Sequence, residues 1–379
     1  MRRLCLVTTS DLIVRFFLGG LLRALSERYE LTVIVKTDRQ DLLSRQGIAA
    51  ELAPIGIERD IRPLADLQAL AALTRLFRRR RFDGVVSLAP KAGLLAALAG
   101  KMAGVPFRCH VYQGEVWATA RGARRALLKA LDRLVARLAT HVLVISPSER
   151  SVLEREKVLA PGQATLVANG SLCGVDLERF RADQAWRRDT RAMLDIPEHA
   201  RVILFLGRIT RDKGVLDLAS AFGVVAGTRE DVFLVYTGPD EQDLHGEIRS
   251  AAARIADRLR FAPLTDHPER YIAAADILAL PSYREGFGNV LIEAGAAGVP
   301  ALASRIYGIE DALRDGETGL MHPPGDVPAI AAGLERLLDD AALRSRLGRQ
   351  ARERVARDFS SDRAIAFWLN FLEAHATVR

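Results

Sequence analysis

The segment Pro281–Ala294 places acidic residues and glycines where a strand would pass into a helix. Glu285 lies in the turn, and Glu293 lies about one turn into the helix predicted to begin near Gly288. Gly286 and Gly288 allow backbone N–H groups to approach a phosphate closely. Both carboxylates can therefore face one ligand that lies across the helix N-terminus, where the backbone favours an anion.

Two cations follow another apolar strand in the same half of the chain. Arg208 and Lys213 stand on a loop between the run Val202–Leu206 and the next predicted helix. Cations in these positions can bind a diphosphate from two sides, and the partial positive charge at the helix N-terminus strengthens this binding. From this motif alone, a solvated loop with incidental charges is an equally good interpretation.

The elements that must position these loops are predicted from hydrophobic periodicity. Apolar runs alternate with amphipathic segments, and the pattern starts again after a polar stretch at Asp176–Arg188. This alternation is typical of parallel sheets with helices on both faces, and the restart predicts two doubly wound α/β domains. The predicted strands are Leu4–Val7, Leu31–Val35, Gly84–Leu88, Phe107–Val111, His141–Ile145, Val202–Leu206, Val232–Thr237, Arg260–Ala262, Ile277–Leu280 and Ala301–Ala303.

Four early segments have helical periodicity, and three more follow the last predicted strand. We place the domains at residues 1–180 and 181–358, with a C-terminal helix in 359–379. Ligands of open parallel sheets bind beyond the carboxyl ends of the strands, so the loops after strands are the candidate sites. The predicted helices are Phe17–Arg28, Leu64–Arg81, Ala92–Ala103, Arg121–Ala139, Val327–Asp339, Ala341–Asp358 and Ser361–His375.

The composition excludes several classes of protein. The 379 residues are 49% hydrophobic and 27% charged, which excludes disorder, collagen and coiled coil. Cys5, Cys109 and Cys173 lie far apart, which predicts neither a disulfide framework nor a metal site and suits the reducing cytoplasm. The first strand runs into Thr8–Asp11 with no G-x-G-x-x-G motif, which argues against a nicotinamide dehydrogenase. No apolar stretch is long enough to span a membrane.

Taken together, the motifs of residues 165–325 resemble the retaining glycosyltransferases of family 4, which have the two-domain GT-B fold. The resemblance rests on Arg208, Lys213 and the E-x7-E pair, and extends to Asp276, Pro300 and Asp315–Gly319. Pro90–Gly93 and Gly114–Thr119 of the front half resemble the bacterial branch that builds capsules and lipid-linked oligosaccharides.

The resemblance implies roles for these residues toward a nucleotide-sugar donor. Arg208 and Lys213 would neutralise the diphosphate, assisted by the backbone of Gly286, Phe287, Gly288 and Asn289. Glu285 would contact hydroxyl groups of the transferred sugar, and Glu293 would accept hydrogen bonds from the ribose. The chain has no D-x-D motif, so we expect no metal and no cofactor: fixed cations and a helix dipole would stabilise the departing nucleotide.

The acceptor is expected on the front domain. His110, near the end of a predicted strand, is the candidate catalytic residue there, although a core histidine is nearly as good an interpretation. Gln113 stands where family members often have a second histidine. Gly19, Gly20 and Lys91 complete the expected acceptor-binding residues, and for Lys91 a plain helix-start lysine is equally plausible.

Charge is concentrated in the front of the chain. Residues 1–150 hold 25 Lys and Arg against 13 Asp and Glu, a net charge of +12, whereas the net charge of the whole chain is +7. Cations at Arg121, Arg125, Lys129, Arg133 and Arg137 recur every four residues beside leucines. We expect the leucines to pack on the sheet and the cations to face an anionic membrane surface or solvent. Few aromatics and no nucleic-acid-binding motif argue against a nucleic acid partner.

The sequence thus predicts a retaining, metal-independent glycosyltransferase of the hexosyltransferase type. It would move a sugar, most simply from a UDP-sugar, onto a polyprenyl-diphosphate-linked saccharide of surface-polysaccharide, capsule or lipopolysaccharide biosynthesis. It would act in a cleft between its domains, in the cytoplasm, as a peripheral protein on the inner face of the cytoplasmic membrane. The alternatives are a GT-B enzyme with a soluble acceptor, a nucleotide-sugar epimerase, and a non-catalytic nucleotide-sugar-binding protein.

Overall fold

The computed structural model describes residues 2–58 and 61–376. Contacts between residues divide the chain into two compact units. The first unit contains the residues up to Cys173 and those from Ser361 onward, and the second is Gly174–Ser360. The sequence-based divisions, after residues 180 and 358, lie near these boundaries.

The first unit is built on a seven-stranded parallel sheet with the order β3-β2-β1-β4-β5-β6-β7. Its central strands are apolar because helices cover them on both faces; every residue of the fourth strand is buried. The strands are β1 Arg2–Val7, β2 Tyr29–Ile34, β3 Glu51–Ala53, β4 Gly84–Leu88, β5 Phe107–Tyr112, β6 His141–Val144 and β7 Ala164–Leu166.

Three consecutive helices of the first unit pack side by side: α3 contacts α4, and α4 contacts α5. We call these three helices the layer α3–α5. A π-helical turn at Val14–Leu18 overlaps the first two residues of the predicted helix Phe17–Arg28, and the α-helix itself begins at Gly19. The helices are α1 Asp11–Ile13, α2 Gly19–Ser26, α3 Pro63–Arg80, α4 Pro90–Ala103, α5 Gly122–Leu138 and α6 Pro147–Arg155.

The second unit repeats the architecture with a six-stranded parallel sheet of order β10-β9-β8-β11-β12-β13. Its strands are β8 Arg201–Leu206, β9 Val232–Thr237, β10 Leu259–Ala262, β11 Ile277–Leu280, β12 Ala301–Ser304 and β13 Gly319–His322. Its helices are α7 Gln184–Met193, α8 Val215–Val225, α9 His245–Ala251, α10 Pro268–Ala274, α11 Asn289–Ala296, α12 Ile309–Ala312, α13 Val327–Asp339 and α14 Ala341–Asp358.

The last helix, α15 Ser361–His375, belongs to the first unit, where it packs against α2. Trp368 is buried and its indole Nε1 donates a hydrogen bond to the carbonyl of Leu172 at 2.9 Å. Phe371 packs against Phe107 of β5. The predicted return of the chain to its first domain is therefore confirmed, as is the architecture of two doubly wound α/β domains.

Three strands escaped the sequence analysis, and each lies at the edge of a sheet. These strands, β3, β7 and β13, have three or four residues each. Two of them carry exposed or half-buried residues, so they lack the apolar run that revealed the central strands. None of the helices in the described part of the chain is long and apolar enough to cross a membrane.

Candidate functional site

Two loops of the second unit approach each other at the carboxyl ends of β8 and β11. The backbone N–H of Tyr283 donates to the carbonyl of Asp212 at 2.9 Å. Gly214 has a φ of +67°, and a Cβ added there would lie 2.1 Å from the carbonyl oxygen of Pro281. Glycine is required at this position because any side chain would separate the two loops. The close approach brings the cation motif and the acidic motif together.

The central contact of the candidate site joins Lys213 to Glu285. The ammonium Nζ of Lys213 lies 2.5 Å from Oε1 of Glu285, and their side chains are only 16% and 14% exposed. The hydroxyl of Ser282 donates to the same carboxylate oxygen at 2.9 Å. Glu285 is therefore held in a fixed orientation by a charged and a neutral donor.

Arg208 lies at the carboxyl end of β8 and pairs with an acid from the neighbouring strand loop. Its guanidinium Nη1 donates to Oε2 of Glu241 at 2.8 Å, and both side chains are about one-third exposed. Arg284 makes a further pair with Asp212 at 3.2 Å. Burial tends to raise the pKa of Asp212, but its hydrogen bond from Thr210 and the surrounding cations leave this pKa below its usual value.

The glycine-flanked turn ends at the N-terminus of α11. Gly288 has a φ of +77° and caps the helix, and Gly286 is buried. Phe287 turns its ring into the core against Phe359, with centroids 5.2 Å apart, so only its backbone is available to a ligand. Asn289 is the first residue of the helix, one position after the start that the sequence predicted near Gly288.

Glu293 lies on α11 with only 8% of its surface exposed. Burial raises the pKa of this carboxyl to about 7, against the lowering effect of Arg179, while Glu269 raises it further. Arg179 itself is bound to Glu269 at 3.0 Å. A buried carboxyl in this position is a strong hydrogen-bond acceptor once ionised.

Other residues of the family resemblance have structural roles. Asp276 accepts hydrogen bonds from Arg187 at 2.8 Å and Arg191 at 2.7 Å, and from the backbone N–H of Val202 at 2.8 Å. It thereby fastens α7 to β8. Asp315 accepts from the backbone of Met321 at 2.9 Å and stabilises the turn before β13.

His110 lies within β5 and is 2% exposed. Its Nδ1 is 3.0 Å from the hydroxyl of Ser87, and its ring fills the space left by Gly93 of α4. Burial lowers the pKa of His110 to about 4, so the imidazole is neutral at physiological pH. The environment favours the interpretation as a core histidine, and a catalytic role for His110 stays a prediction.

The four residues expected at the acceptor are placed as follows. Lys91 is paired with Asp66 of α3 at 2.5 Å and is 13% exposed. The amide Nε2 of Gln113 is buried, with no hydrogen-bond partner among residues 2–58 and 61–376. Gly19 and Gly20 begin α2, and Gly20 faces the side chain of Ile365 on α15.

Helix α5 is oriented differently from the expectation. Lys129, which is 14% exposed, turns inward to Glu156 at 2.6 Å and lies over the ring of Trp117. Arg125 reaches the same carboxylate at 3.0 Å but stays 37% exposed. Leu127 and Leu134 are exposed by 53% and 37%. The prediction that the leucines pack and the cations face outward was wrong for Lys129 and these two leucines, because Glu156 and the Trp117 ring attract the lysine.

Several residues at the donor-side loops were not predicted from the sequence. Glu241 follows β9, which lies beside β8 in the sheet, and Ser282 and Arg284 flank the predicted turn. The rule that ligands bind beyond the carboxyl ends of strands would have pointed to the loop that holds Glu241. Within the two described stretches, no group of three or more His, Cys, Asp or Glu side chains is arranged to hold a metal ion.

Comparison with known proteins agrees with this geometry. Residues 187–354 match the glycosyl transferases group 1, and residues 14–170 match the glycosyl transferase 4-like domain. The chain belongs to the glycosyltransferases of family 4 with the GT-B fold, and its activity is that of a glycosyltransferase.

Individual relatives span different shares of the chain. The capsular polysaccharide biosynthesis glycosyltransferase CapM of Staphylococcus aureus is 29% identical over 331 residues, covering 86% of both chains. The D-inositol 3-phosphate glycosyltransferase of Salinispora tropica is 36% identical over 62% of this chain and 49% of its own length. The crystal structure of Anabaena Alr3699/HepE in complex with UDP and glucose superposes with a TM-score of 0.83 at 17% identity, covering 99% of this chain and 100% of HepE.

Proposed function

We propose that the protein transfers a sugar with retention of configuration from a UDP-sugar to a polyprenyl-diphosphate-linked saccharide of surface-polysaccharide biosynthesis. The observation that carries the proposal is the convergence of Lys213, Arg208 and Glu285 at the carboxyl edge of the second sheet. Cations there can bind a diphosphate while the carboxylate accepts hydrogen bonds from sugar hydroxyl groups.

The donor proposal rests on charge and on a structural relative. Arg208 and Lys213 stand ahead of α8, and the turn at Gly286–Gly288 stands ahead of α11, so two helix N-termini add positive potential to the cations. The crystal structure of HepE contains UDP, which supports a UDP-sugar as donor. Glu293, close to the start of α11, would accept hydrogen bonds from the ribose hydroxyl groups.

The proposed chemistry is transfer on one face of the donor sugar. The acceptor hydroxyl oxygen bonds to the anomeric carbon as the bond to the β-phosphate oxygen breaks, and the hydroxyl proton passes to that phosphate oxygen. Lys213 and Ser282 both bind Oε1 of Glu285 and hold this carboxylate in a fixed orientation, and the family resemblance gives it a role in binding sugar hydroxyl groups rather than in covalent catalysis.

Mass spectrometry tests the covalent alternative. We expect no glycosyl adduct on Glu285 when the protein turns over a fluorinated donor that slows release of such an intermediate. A trapped glycosyl–Glu285 ester would overturn the proposal. An anomeric proton coupling in the product that corresponds to inversion would overturn retention itself.

The transfer is proposed to need no metal and no cofactor. Two side-chain cations and two helix N-termini supply positive charge where the diphosphate would lie, so that fixed groups stabilise the leaving nucleotide. We expect EDTA to leave turnover unchanged. A loss of activity that Mg²⁺ or Mn²⁺ restores would contradict this part of the proposal.

The acceptor is proposed to bind the first unit. CapM, a relative along most of both chains, is named for capsular polysaccharide biosynthesis, which supports a surface-glycan precursor. The amide Nε2 of Gln113, just after β5, is buried and has no hydrogen-bond partner in the described part of the chain, so we propose it as a donor to an acceptor hydroxyl group. Lys91 would reach an acceptor diphosphate only after leaving Asp66.

A lipid-linked acceptor requires access to a membrane, and the layer α3–α5 provides a suitable surface. All exposed large hydrophobic residues described in the first unit lie on or next to these helices. They are Ile61, Leu64, Leu67, Met102, Val116, Leu127 and Leu134. The two acidic residues of these helices do not present a free negative charge on this surface, because Asp66 is paired with Lys91 and Asp132 is buried.

The same three helices also carry exposed cations. They include Arg75, Arg78, Arg79, Lys101, Arg124 and Arg137. We propose that the leucines enter the interface of the inner face of the cytoplasmic membrane while the cations contact anionic headgroups, each adding ~1 kcal/mol. This differs from a purely electrostatic attachment, because salt alone would not release inserted leucines.

Vesicle sedimentation tests the membrane proposal. We expect the protein to sediment with vesicles that contain phosphatidylglycerol and to remain partly bound after a high-salt wash. The double variant Leu127→Glu/Leu134→Glu should lose this binding, whereas Val224→Glu, at a still more exposed apolar site in the second unit, should keep it. Failure of the wild type to sediment at low salt, or equal loss in the control, would contradict the proposal.

The sequence left three alternatives to the proposed function, and one experiment separates them from it. The D-inositol 3-phosphate glycosyltransferase relative favours a soluble acceptor. A nucleotide-sugar epimerase or a non-catalytic binding protein would use the same donor loops, but the glycosyltransferase family matches favour neither. Release of UDP from a panel of sugar nucleotides, with lipid-linked and soluble acceptors in parallel, distinguishes them. Turnover only with lipid-linked acceptors supports the proposal, and donor binding without turnover supports a binding protein.

A further inference from the structure

The donor-side loops of the second unit are balanced in charge before any ligand binds. Lys213 is paired with Glu285, Arg284 with Asp212 and Arg208 with Glu241. An incoming diphosphate must therefore compete with a carboxylate for each cation. Among these acids, Glu285 is expected to contact the donor sugar, whereas no role has been assigned to Glu241.

The pair of Arg208 and Glu241 is the easier to open. Its side chains are 31% and 29% exposed, about twice as much as those of Lys213 and Glu285. An ion pair in contact with water is weak, because solvent competes with both partners and screens their attraction. A diphosphate, with more negative charge and more acceptor oxygens, can displace a single carboxylate from a guanidinium.

The backbone around Glu241 is fixed, so its displacement requires only a side-chain rotation. The N–H of Ile209 donates to the carbonyl of Pro239 at 2.8 Å, which joins the loop after β8 to the loop after β9. The carboxylate of Asp240 accepts hydrogen bonds from the backbone of Leu244 at 2.7 Å and His245 at 3.1 Å. These hydrogen bonds keep the loop in place, so that the side chain of Glu241 stays within reach of Arg208.

We propose that Glu241 is a displaceable counter-ion of Arg208 that occupies the guanidinium in the absence of donor and returns to it when the nucleoside diphosphate leaves. This inference rests on the proposed function, because it assumes that Arg208 binds the diphosphate. Competition from Glu241 weakens the binding of donor and product alike. It favours product release, since the carboxylate is ready to replace the departing phosphate.

Binding of UDP and of inorganic pyrophosphate, measured by calorimetry, tests the inference. Glu241→Gln removes the competing charge with little change in shape, and we expect it to tighten UDP binding about three- to tenfold. In an Arg208→Gln background the same substitution should have a smaller effect, since the counter-ion no longer has a guanidinium to occupy. Glu247→Gln, which opens the exposed pair with Arg211 nearby, should leave UDP affinity unchanged.

The outcomes separate the inference from the proposed function. If Glu241→Gln binds UDP as the wild type does, or more weakly, the counter-ion role is overturned while the donor site stands. Equal tightening in the presence and absence of Arg208 would also overturn it, because the effect would then be general repulsion. If neither the wild type nor Glu241→Gln binds UDP or pyrophosphate, both the inference and the donor assignment fail.

Discussion

Replacing Glu293 by glutamine should stabilise the unliganded protein in alkaline solution while weakening UDP binding. Burial raises the pKa of this carboxyl from 4.5 to about 7. The folded state therefore holds its proton more tightly than the unfolded state, and stability falls as the pH rises from about 4.5 to about 7. At ~1.4 kcal/mol for each pKa unit, the ionised carboxylate costs about 3 kcal/mol above that window.

The expected gain in the free energy of unfolding follows from comparing the glutamine amide with the ionised carboxylate that it replaces. The amide has the size and neutrality of the protonated acid but must be buried, which costs about 1 kcal/mol. We therefore expect Glu293→Gln to gain about 2 kcal/mol at pH 8, or about 4–8 °C in melting temperature for a unit of this size. At pH 5, ionisation of this carboxyl in the unfolded state already costs the wild type about 1 kcal/mol. This cost offsets that of burying the amide, so the two proteins should melt at nearly the same temperature.

The assay is thermal unfolding at pH 5 and pH 8. The melting temperature is taken from the unfolding transition that UDP shifts in the wild type, because that transition belongs to the unit that binds UDP. Glu247→Gln, an exposed glutamate of α9, is the matched control and should differ from the wild type at neither pH. UDP binding by Glu293→Gln at pH 8 should weaken about tenfold or more, because a charged acceptor is lost. A melting difference that is the same at both pH values would refute the assigned burial and pKa.

Three further predictions concern the framework around the site. Asp276→Ala leaves the buried guanidinium of Arg191 without its counter-ion and should cost about 3–5 kcal/mol in urea unfolding; a loss below about 1 kcal/mol would contradict this. Gly214→Ala should destabilise the fold by at least about 2 kcal/mol and weaken UDP binding, whereas Gly227→Ala, which has open space for a Cβ, should do neither. In NMR titrations His110 should show a midpoint of about 4, and a midpoint near 6.5 would show that the ring is not buried.

The central strands and the late helices could be predicted because burial on both faces leaves uninterrupted apolar runs. The helices α13, α14 and α15 begin and end at the predicted residues. The edge strands β3, β7 and β13 could not be predicted, because a short strand with one neighbour needs no long apolar run, whereas the edge strand β10 was predicted. The π-helical turn before α2 also left no signal in the periodicity.

The candidate site was partly predictable because its motif residues stand in loops after strands. The pairing of Lys213 with Glu285 joins residues 72 positions apart, and the order of β8 and β11 in the sheet brings them together. Glu241 was missed because its significance depends on β9 lying beside β8. The orientation of α5 was missed for a similar reason: a helical pattern shows two faces, but Glu156 decides which one turns inward.

The most direct test of glycosyl transfer at the second-unit loops is the rate of UDP release from a UDP-sugar in the presence of a lipid-linked acceptor. The wild type should turn over, whereas Lys213→Met and Glu285→Gln should lose at least about 100-fold in kcat/KM, since each removes a charged contact to the reacting donor. Glu247→Gln should retain full activity. Full turnover by Glu285→Gln, or by Lys213→Met, would contradict the assignment of the site.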